Sequence, residues 1–249
     1  QGTTKAVSRL GAKKWFFLSA DYSLGAQLEA DSRTVIDATG GQVVGAVKHP
    51  INTPDFSSFL LQAQASNADV IALADAGGDF INAVKQAGEF GISRQQKLAG
   101  LIVFIADIHS LGLASAQGLL LSSAFYWDMN EGTRTWSKRF IAKTGKVPTM
   151  IHAGTYGAVM HYLKAVKAAG TLDGPIVATK MRELPVNDFM TKDGRIRRDG
   201  RLVRDMYLFR VKSPTESKYK FDYYEKLATI PGNEAFRPME DGKCPLLKK

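Results

Sequence analysis

Five short apolar runs lie between Lys13 and Trp127: KWFFL (14–18), QVVGAV (42–47), DVIALA (69–74), LAGLIVF (98–104) and LLLSSAFYW (119–127). Each run opens one repeat of the same unit, in which a turn and an amphipathic helical pattern follow the run. Near-continuous apolar strands are typical of a parallel sheet that is buried on both faces. We therefore predict an α/β fold, with a parallel sheet and helices on both faces. Ligands of such sheets bind at the carboxyl ends of the strands.

The helical patterns between the runs have clear signals at their ends. The first follows Asp21-Tyr22-Ser23 and stops at Gly40-Gly41. The second is predicted to begin with Thr53 as N-cap and Pro54 in the first turn, and the third opens at Gly77-Gly78-Asp79. Together they predict consecutive βαβ units.

From Asn130 onward the sequence changes to helices and a hairpin. Helical patterns run from about Trp136 to Thr144, over 149–169 and over 175–183, and short alternating strands follow at 206–211 and 219–227. This region has too few apolar strands for a sheet of its own. We expect a first domain at 1–129, a second at 130–220, and a last segment at 221–249 that crosses back toward the first.

The composition is that of a globular protein, with 45% hydrophobic and 10% aromatic residues. No window approaches the roughly 18 consecutive apolar residues of a membrane span. The chain begins at Gln1 rather than at Met, which indicates a processed protein or a fragment. Because Cys244 is the only cysteine, a disulfide within the chain and a multi-cysteine zinc site are excluded.

The net charge of +9 raises the question of a nucleic-acid partner. Much of the excess lies between Lys192 and Arg204, where two Asp-Gly pairs indicate turns between short strands. No recognition helix, zinc finger or RNA-binding signature accompanies this segment. We therefore interpret it as a solvated surface and predict no nucleic-acid partner, with a docking surface for an acidic partner as the alternative.

Enzymatic and cofactor signatures are weak throughout. The sequence contains neither a dinucleotide-binding glycine motif nor a phosphate-binding loop, and no serine lies in a nucleophile elbow. The four histidines lack metal-ligand spacing, although His109 and His152 are the better candidates for lining a cavity. We predict no catalytic residues, no metal and no cofactor.

The residues just past the strand ends are the best candidates for a binding site. They combine aromatic rings with a few carboxylates, which is the composition expected of a small-molecule pocket with fixed polar anchors. The candidates in this crescent are Ala20, Asp21, Tyr22, Asp75, Ala76, Phe104, Asp107, Tyr126 and Trp127. In the alternative interpretation, Phe104 and Trp127 belong to the core and Asp21 caps a helix.

The sequence resembles a known family, the type I periplasmic solute-binding proteins of ABC transporters, and within it the leucine/isoleucine/valine-binding-like group. The resemblance covers the chain to its end and rests on the order and spacing of several motifs rather than on any one. These motifs are ADYSLG (20–25), GQVVG (41–45), NTPDFSS (52–58), DVI (69–71), and AGTYGAV (153–159) leading to AVKAAG (165–170).

The resemblance implies a periplasmic, non-enzymatic receptor that works with a membrane permease. Such receptors have two lobes joined by three crossings and close around a small solute in the cleft between them. Members of the family begin with a further βαβ block, so the resemblance implies that this chain is the carboxyl-terminal part of a longer protein. It also implies that Cys244 has lost a disulfide partner and that Tyr156 contacts the ligand. The uncovered elements of the incomplete lobe are expected to cause dimerisation or instability.

The resemblance also narrows the ligand. Members that bind amino acids place a carboxylate and an aromatic hydroxyl near the ligand's ammonium group, and the corresponding positions here are Phe104 and Ala76. Neither side chain can pair with an ammonium group, which would cost several kcal/mol if it were buried there. We therefore expect a small organic acid, specifically an aromatic carboxylate such as a benzoate or cinnamate. The alternative ligands are an aliphatic acid, a branched-chain amino acid or an amide. An α/β hydrolase is the alternative from another class of protein.

Overall fold

The computed structural model describes residues 1–242 and 245–247, and Cys244 lies outside the described residues. The chain divides into two compact units. Unit 1 comprises residues 1–123 and 207–229, and unit 2 comprises 124–206 and 230–249.

The elements of the described residues follow each other in alternation at first and in blocks later. The helices are α1 (Gly2–Arg9), α2 (Ser23–Ala38), α3 (Ser57–Ala65), α4 (Gly77–Glu89), α5 (Ile105–Leu111), α6 (Leu113–Ala116), α7 (Glu131–Thr144), α8 (Met150–Ala169), α9 (Gly174–Glu183) and α10 (Gly232–Ala235). The strands are β1 (Lys14–Ala20), β2 (Gln42–His49), β3 (Val70–Ala74), β4 (Lys97–Gly100), β5 (Leu120–Ser123), β6 (Arg195–Ile196), β7 (Leu202–Val203), β8 (Met206–Val211) and β9 (Tyr224–Ile230).

One sheet holds unit 1 together, with the strand order β2-β1-β3-β4-β5-β8-β9. The first five strands in this order are parallel, and β8 pairs with β5 in the antiparallel direction. The predicted α/β fold with a parallel sheet and surrounding helices is therefore confirmed. The pairing of β8 with β5 explains why residues 207–229 lie in unit 1. The boundaries predicted from the sequence lay elsewhere, after residue 129 and after residue 220.

Burial along the strands follows their position in the sheet. Every residue of β3 is buried, as is every residue of β1 except Lys14. By contrast, β2 lies at the edge of the sheet, and of its residues only His49 is buried. The expectation that all five runs are buried on both faces was therefore wrong for the second run, because an edge strand has a neighbour on one side only.

Two helix starts differ from the sequence-based prediction. Helix α3 begins at Ser57, where Asp55 Oδ1 accepts a hydrogen bond from the Ser57 amide at 2.8 Å. Thr53 was the predicted N-cap, but its hydroxyl donates instead to the carbonyl of Pro50. Helix α1 was not predicted at all. It packs beside α2 through a 3.0 Å hydrogen bond from the Thr4 hydroxyl to Ser32 Oγ.

The described part of unit 2 consists mainly of helices and a small hairpin. Asn130 caps α7 and Thr149 caps α8, each with a side-chain oxygen that accepts an amide of the first turn. Strands β6 and β7 form the hairpin within the basic segment. No helix among the described residues has the length and apolar character to cross a membrane.

Candidate functional site

The carboxyl edge of the unit 1 sheet is the edge at which its parallel strands end. There, β1, β3 and β4 are neighbours, and each leads into a helix whose N-cap is a predicted site residue. Tyr22, Ala76 and Phe104 are the N-caps of α2, α4 and α5, and all three have extended backbone. None of them caps its helix through a side-chain hydrogen bond. The structure thus brings three predicted residues to one edge, where the first-turn N–H groups of α2 and α4 favour negative charge.

Asp21 and Tyr22 are the exposed members of this edge. The Asp21 carboxylate lies 3.4 Å from Lys48 Nζ, and both side chains are largely exposed. The Asp21 amide donates to the carbonyl of His49, which ties the end of β1 to the end of β2. Because the N-cap position of α2 belongs to Tyr22, the interpretation of Asp21 as a simple helix cap is wrong.

Ala20 and Gly25 allow the close approach of α2 to the end of β1. Ala20 is buried, and a Cβ atom on Gly25 would overlap the carbonyl oxygen of Ala20. Since that obstacle is backbone, it cannot move aside as a flexible side chain would. The glycine therefore fixes where the first turn of α2, with Tyr22 at its start, meets the sheet.

Asp75 is the first residue after β3, and its side chain is fully buried. Its closest ionic partner is His49, which is also fully buried, with 3.5 Å between Asp75 Oδ2 and His49 Nε2. Burial raises the pKa of Asp75 above its ordinary value, although the nearby His49 opposes this. Burial also lowers the pKa of His49, but Asp75, the Pro50 carbonyl and Asp79 outweigh it and leave this pKa raised.

Asp79, in the first turn of α4, holds the loop that follows β2. Its two carboxylate oxygens accept the amides of Asn52 and Thr53 at 3.0 and 2.9 Å. Asn52 has a φ of 62°, in the left-handed region, so this loop has a specific and uncommon conformation. Asp79 therefore links the loop after β2 to the start of α4, beside Ala76.

Phe104 and Asp107 form the third part of the edge. Asp107 Oδ2 accepts a hydrogen bond from the Phe104 amide at 2.8 Å, which fixes the start of α5. Burial raises the pKa of the Asp107 carboxyl group. The Phe104 ring is half-buried, as is Ala76, so the edge offers apolar surface between the two helix starts.

The other three predicted residues belong to unit 2. Tyr126 is buried, and its ring centroid lies 6.3 Å from that of Trp127 in an edge-on arrangement. Tyr156 is partly exposed and packs against Trp136 and Phe189. These residues therefore adjoin an aromatic cluster in unit 2.

His49 is a strand-end residue that the sequence analysis did not include among the candidate site residues. The signal that could have identified it was its position: it lies two residues past the second apolar run, where the strand ends. The register pairs His49 with Ala20, in the same row as the other strand-end residues. Among the described residues, no group of three or more His, Cys, Asp or Glu side chains could hold a metal ion.

Comparisons with known proteins agree with this architecture. The family model described as periplasmic binding protein matches residues 1–218. A periplasmic binding protein from Burkholderia mallei is 48% identical, with a TM-score of 0.92 over 99% of this chain and 66% of its own. A branched chain amino acid ABC transporter periplasmic ligand-binding protein from Burkholderia xenovorans is 43% identical, with a TM-score of 0.92 over 98% of this chain and 66% of its own.

A more distant likeness concerns the fold alone. A solute binding protein of an ABC transporter from Rhodopseudomonas palustris, in complex with 3,4-dihydroxy benzoic acid, is 22% identical. Its TM-score is 0.78 over 92% of this chain and 63% of its own. The chain thus spans about two thirds of the length of these structures. No curated protein matched the chain.

Proposed function

Because the chain belongs to the periplasmic binding protein family, we propose that it acts as an extracytoplasmic receptor of an ABC importer. In this proposal the carboxyl edge of the unit 1 sheet binds a small organic acid and releases it unchanged to a membrane permease. The observation that carries the proposal is the arrangement of Tyr22, Ala76 and Phe104 on neighbouring strand ends.

The chemistry of this edge supports an acid without an amino group. Ala76 and Phe104 offer a methyl group and a ring, so a buried ammonium group would have no partner there, at a cost of several kcal/mol. The N–H groups at the starts of α2 and α4 favour a negatively charged ligand group. The rings of Tyr22 and Phe104 provide flat apolar surface for an aromatic ring. An aromatic carboxylate has both features.

The aspartates of the edge divide into different roles. Asp21 is exposed and can accept a hydrogen bond from a ring hydroxyl of the ligand. The Asp107 carboxylate already accepts the Phe104 amide, and the Asp75 carboxylate is buried against His49. We therefore propose Asp21 as the direct polar contact and Asp75 and Asp107 as supporting residues. Tyr126, Trp127 and Tyr156 stay predictions from the sequence.

A branched-chain amino acid is the second candidate ligand. The specific observation in its favour is the 43% identity to the Burkholderia xenovorans protein, whose name gives branched chain amino acids as the transported class. The two candidates differ in the ammonium group, so a panel that contains ligands of both classes separates them.

Calorimetric titration of the chain tests the proposal. The ligand panel is benzoate, 3,4-dihydroxybenzoate, L-leucine and L-valine, and the variant is Phe104→Glu. We expect the aromatic acids to bind the unsubstituted chain, and Phe104→Glu to abolish that binding without creating amino-acid binding. The matched control is Phe90→Glu, which replaces an exposed phenylalanine at the other end of α4 with the same charged residue. This variant should bind the aromatic acids normally.

Three outcomes would contradict the proposal. Aromatic-acid binding that survives Phe104→Glu would remove Phe104 from the site. Binding of leucine or valine alone would favour the amino-acid receptor. Conversion of a bound acid into a product, detected by chromatography of the incubated mixture, would favour an enzyme.

A further inference from the structure

The side chains of His49 and Asp75 meet across the end of β1. The register pairs Ala20 of β1 with His49 of β2, and it pairs Ser19 with Ala74 of β3. Ala20 therefore lies between His49 and Asp75 in one row of the sheet. Because its side chain is a single methyl group, the longer side chains on either side can approach each other to 3.5 Å over it.

The surroundings of this pair are apolar, apart from one further carboxylate. The rings of Phe56, the residue before α3, and of Phe59, within α3, pack edge-on against the His49 ring, with centroid distances of 4.8 and 6.2 Å. Asp79 of α4 is the other charged group that acts on both members of the pair. Lys48, which precedes His49 in the chain, and Asp21, which follows Ala20, are exposed and pair with each other.

The contacts of the His49 ring determine where its protons must lie. His49 Nδ1 is 2.8 Å from the carbonyl oxygen of Pro50, which can only accept, so Nδ1 carries a proton. On the other side of the ring, Nε2 faces a carboxylate oxygen. A bare nitrogen lone pair would repel an ionised carboxylate there, so one further proton must lie on either His49 Nε2 or Asp75 Oδ2.

No other described group supplies the missing hydrogen bonds. Neither carboxylate oxygen of Asp75 has a hydrogen-bond donor among the described residues, and His49 Nε2 has no hydrogen-bond partner there. A separation of 3.5 Å is long for a hydrogen bond, so the attraction between the two is mainly Coulombic in a dry environment. Loss of the proton would leave a buried carboxylate beside a neutral ring, which is strongly unfavourable.

We propose that His49 and Asp75 are positioning residues, which together hold one buried proton and thereby fix the ends of β2, β1 and β3 at the binding edge. Asp75 is followed directly by Ala76, and His49 receives the amide of Asp21 on its carbonyl. The pair thus acts on both sides of the edge without touching the ligand. The role of the pair in ligand binding rests on the function proposed above, whereas the presence of the buried proton can be tested without a ligand.

The sign of the expected pH effect follows from the direction of the pKa shifts. Both pKa values are raised in the folded chain, so the folded state holds its protons more tightly than the unfolded state. The stabilisation is present below the ordinary pKa of histidine, about 6.5, and is lost as the pH rises through the folded value. Stability should therefore fall on the alkaline side.

Urea unfolding between pH 6 and pH 9 tests the proton with no ligand present. Asp75→Asn is nearly isosteric, and its amide can donate to a neutral His49 Nε2, so this variant should fold. We expect the unfolding equilibrium constant to rise with pH more steeply in the unsubstituted chain than in Asp75→Asn, by up to tenfold per pH unit within the shifted range. Equal slopes in the two proteins would overturn the proposal.

Two controls make this result specific. Asp69→Asn removes an exposed carboxylate at the other end of β3, and it should keep the pH slope of the unsubstituted chain. Nitrogen-15 NMR of the histidine rings should show a protonated His49 Nδ1 throughout the range. An unprotonated Nδ1 would overturn the proposal even if the unfolding curves agreed with it.

The positioning role is tested by affinity against pH, with 3,4-dihydroxybenzoate and L-leucine as the probes. The affinity of the unsubstituted chain for the probe that binds should fall as the pH rises from 6.5 to 8.5, and that of Asp75→Asn should not. Since ionisation of the probe affects both proteins equally, a shared pH dependence would overturn the positioning role. If neither probe binds, the proposed function fails, while the unfolding experiment still decides on the proton.

Discussion

Strand β3 begins after one aspartate and ends before another, and the two carboxylates have opposite environments. Asp69, at the edge where the strands begin, is exposed and accepts the amides of Lys13 and Lys14 at 2.8 Å each. Asp75, at the carboxyl edge, is buried, and among the described residues its one ionic partner is His49. The five residues of β3 therefore separate a carboxylate that accepts two amide hydrogen bonds from a buried carboxylate that has one distant ionic partner.

The pKa shifts of the two aspartates differ accordingly. The two amide hydrogen bonds lower the pKa of Asp69, with a smaller contribution from Lys14 and Lys97. Burial raises the pKa of Asp75. Perturbed carboxylates of the second kind concentrate at functional sites, because folding stability alone does not favour them. This difference supports the proposal that ligand binds at the carboxyl ends of the strands, and it assigns a structural role to the edge at which the strands begin.

The largest expected effect comes from removing the cation partner at the binding edge. His49→Leu leaves Asp75 buried without an ionic partner, and we expect a loss of about 3–5 kcal/mol in the free energy of unfolding at pH 8. At pH 5 the loss should be smaller, because Asp75 can take up a proton. Urea unfolding at both pH values measures this difference.

The double variant His49→Leu/Asp75→Val is the control for that prediction. Because it removes both members of the buried pair, most of the stability lost in His49→Leu should return. A loss below about 1 kcal/mol in His49→Leu would mean that the pair is unimportant for the edge.

A smaller effect is expected from Gly25→Ala, which alters the binding edge without changing charge. The added Cβ overlaps the Ala20 carbonyl, so we expect a loss of about 1–3 kcal/mol, as for other overpacked sites. Gly78→Ala is the matched control, since a Cβ there meets nothing within 4 Å. Its thermal midpoint should stay the same or rise, because alanine favours helix more than glycine does. Similar midpoints for both variants would contradict the close approach at Gly25.

At the structural edge, Asp69→Asn should cost about 1 kcal/mol or less, because the charged hydrogen bonds it removes are exposed to solvent. The pKa of Asp69 is lowered in the folded chain. Its contribution is therefore present above the ordinary aspartate pKa of about 3.9 and is lost as the pH falls through the folded value. Unfolding curves of the variant and the unsubstituted chain should converge in acid. If the two unfolding curves converged at alkaline pH instead, the pKa of Asp69 would be raised rather than lowered, and the contrast with Asp75 would be wrong.

The smallest effect on stability is expected from Asp21→Asn, because its ion pair with Lys48 is exposed and such pairs contribute about 0–1 kcal/mol. Binding should respond differently. We expect weaker binding of 3,4-dihydroxybenzoate and unchanged binding of benzoate, since only the first has ring hydroxyls for the carboxylate. Equal losses for both acids in calorimetry would exclude a direct contact between Asp21 and a hydroxyl group.

The sequence predicted the strands of unit 1 well, because their apolar runs are long and end in clear turn signals. It also predicted helices α7, α8 and α9 and the turns between short strands in the basic segment. It missed α1, whose buried face includes Thr3 and Thr4 rather than large apolar residues. It placed the N-cap of α3 three residues early, at Thr53 instead of Phe56. Thr53 has the residue type of an N-cap, but its hydroxyl bonds to the local Pro50 carbonyl instead.

The candidate site was predictable in position but not in the role of each residue. Asp21 and Asp75 both follow a strand directly, and nothing in their local sequence distinguishes them. One is exposed and the other buried, because Asp75 meets His49, which precedes it in the chain by 26 residues and reaches it over the small side chain of Ala20. Such a contact depends on strand order and register, and near-continuous apolar runs have no alternation that would fix the register.

The most direct test of the account follows the backbone amide signals of the chain by NMR while 3,4-dihydroxybenzoate or L-leucine is added. We predict that the ligand shifts the signals of Tyr22, Ala76, Gly77 and Phe104 at the carboxyl edge. The signals of Lys14, Asp69 and Lys97 at the opposite edge should stay in place. Shifts concentrated at that opposite edge would contradict the central claim, and so would the absence of shifts with both compounds.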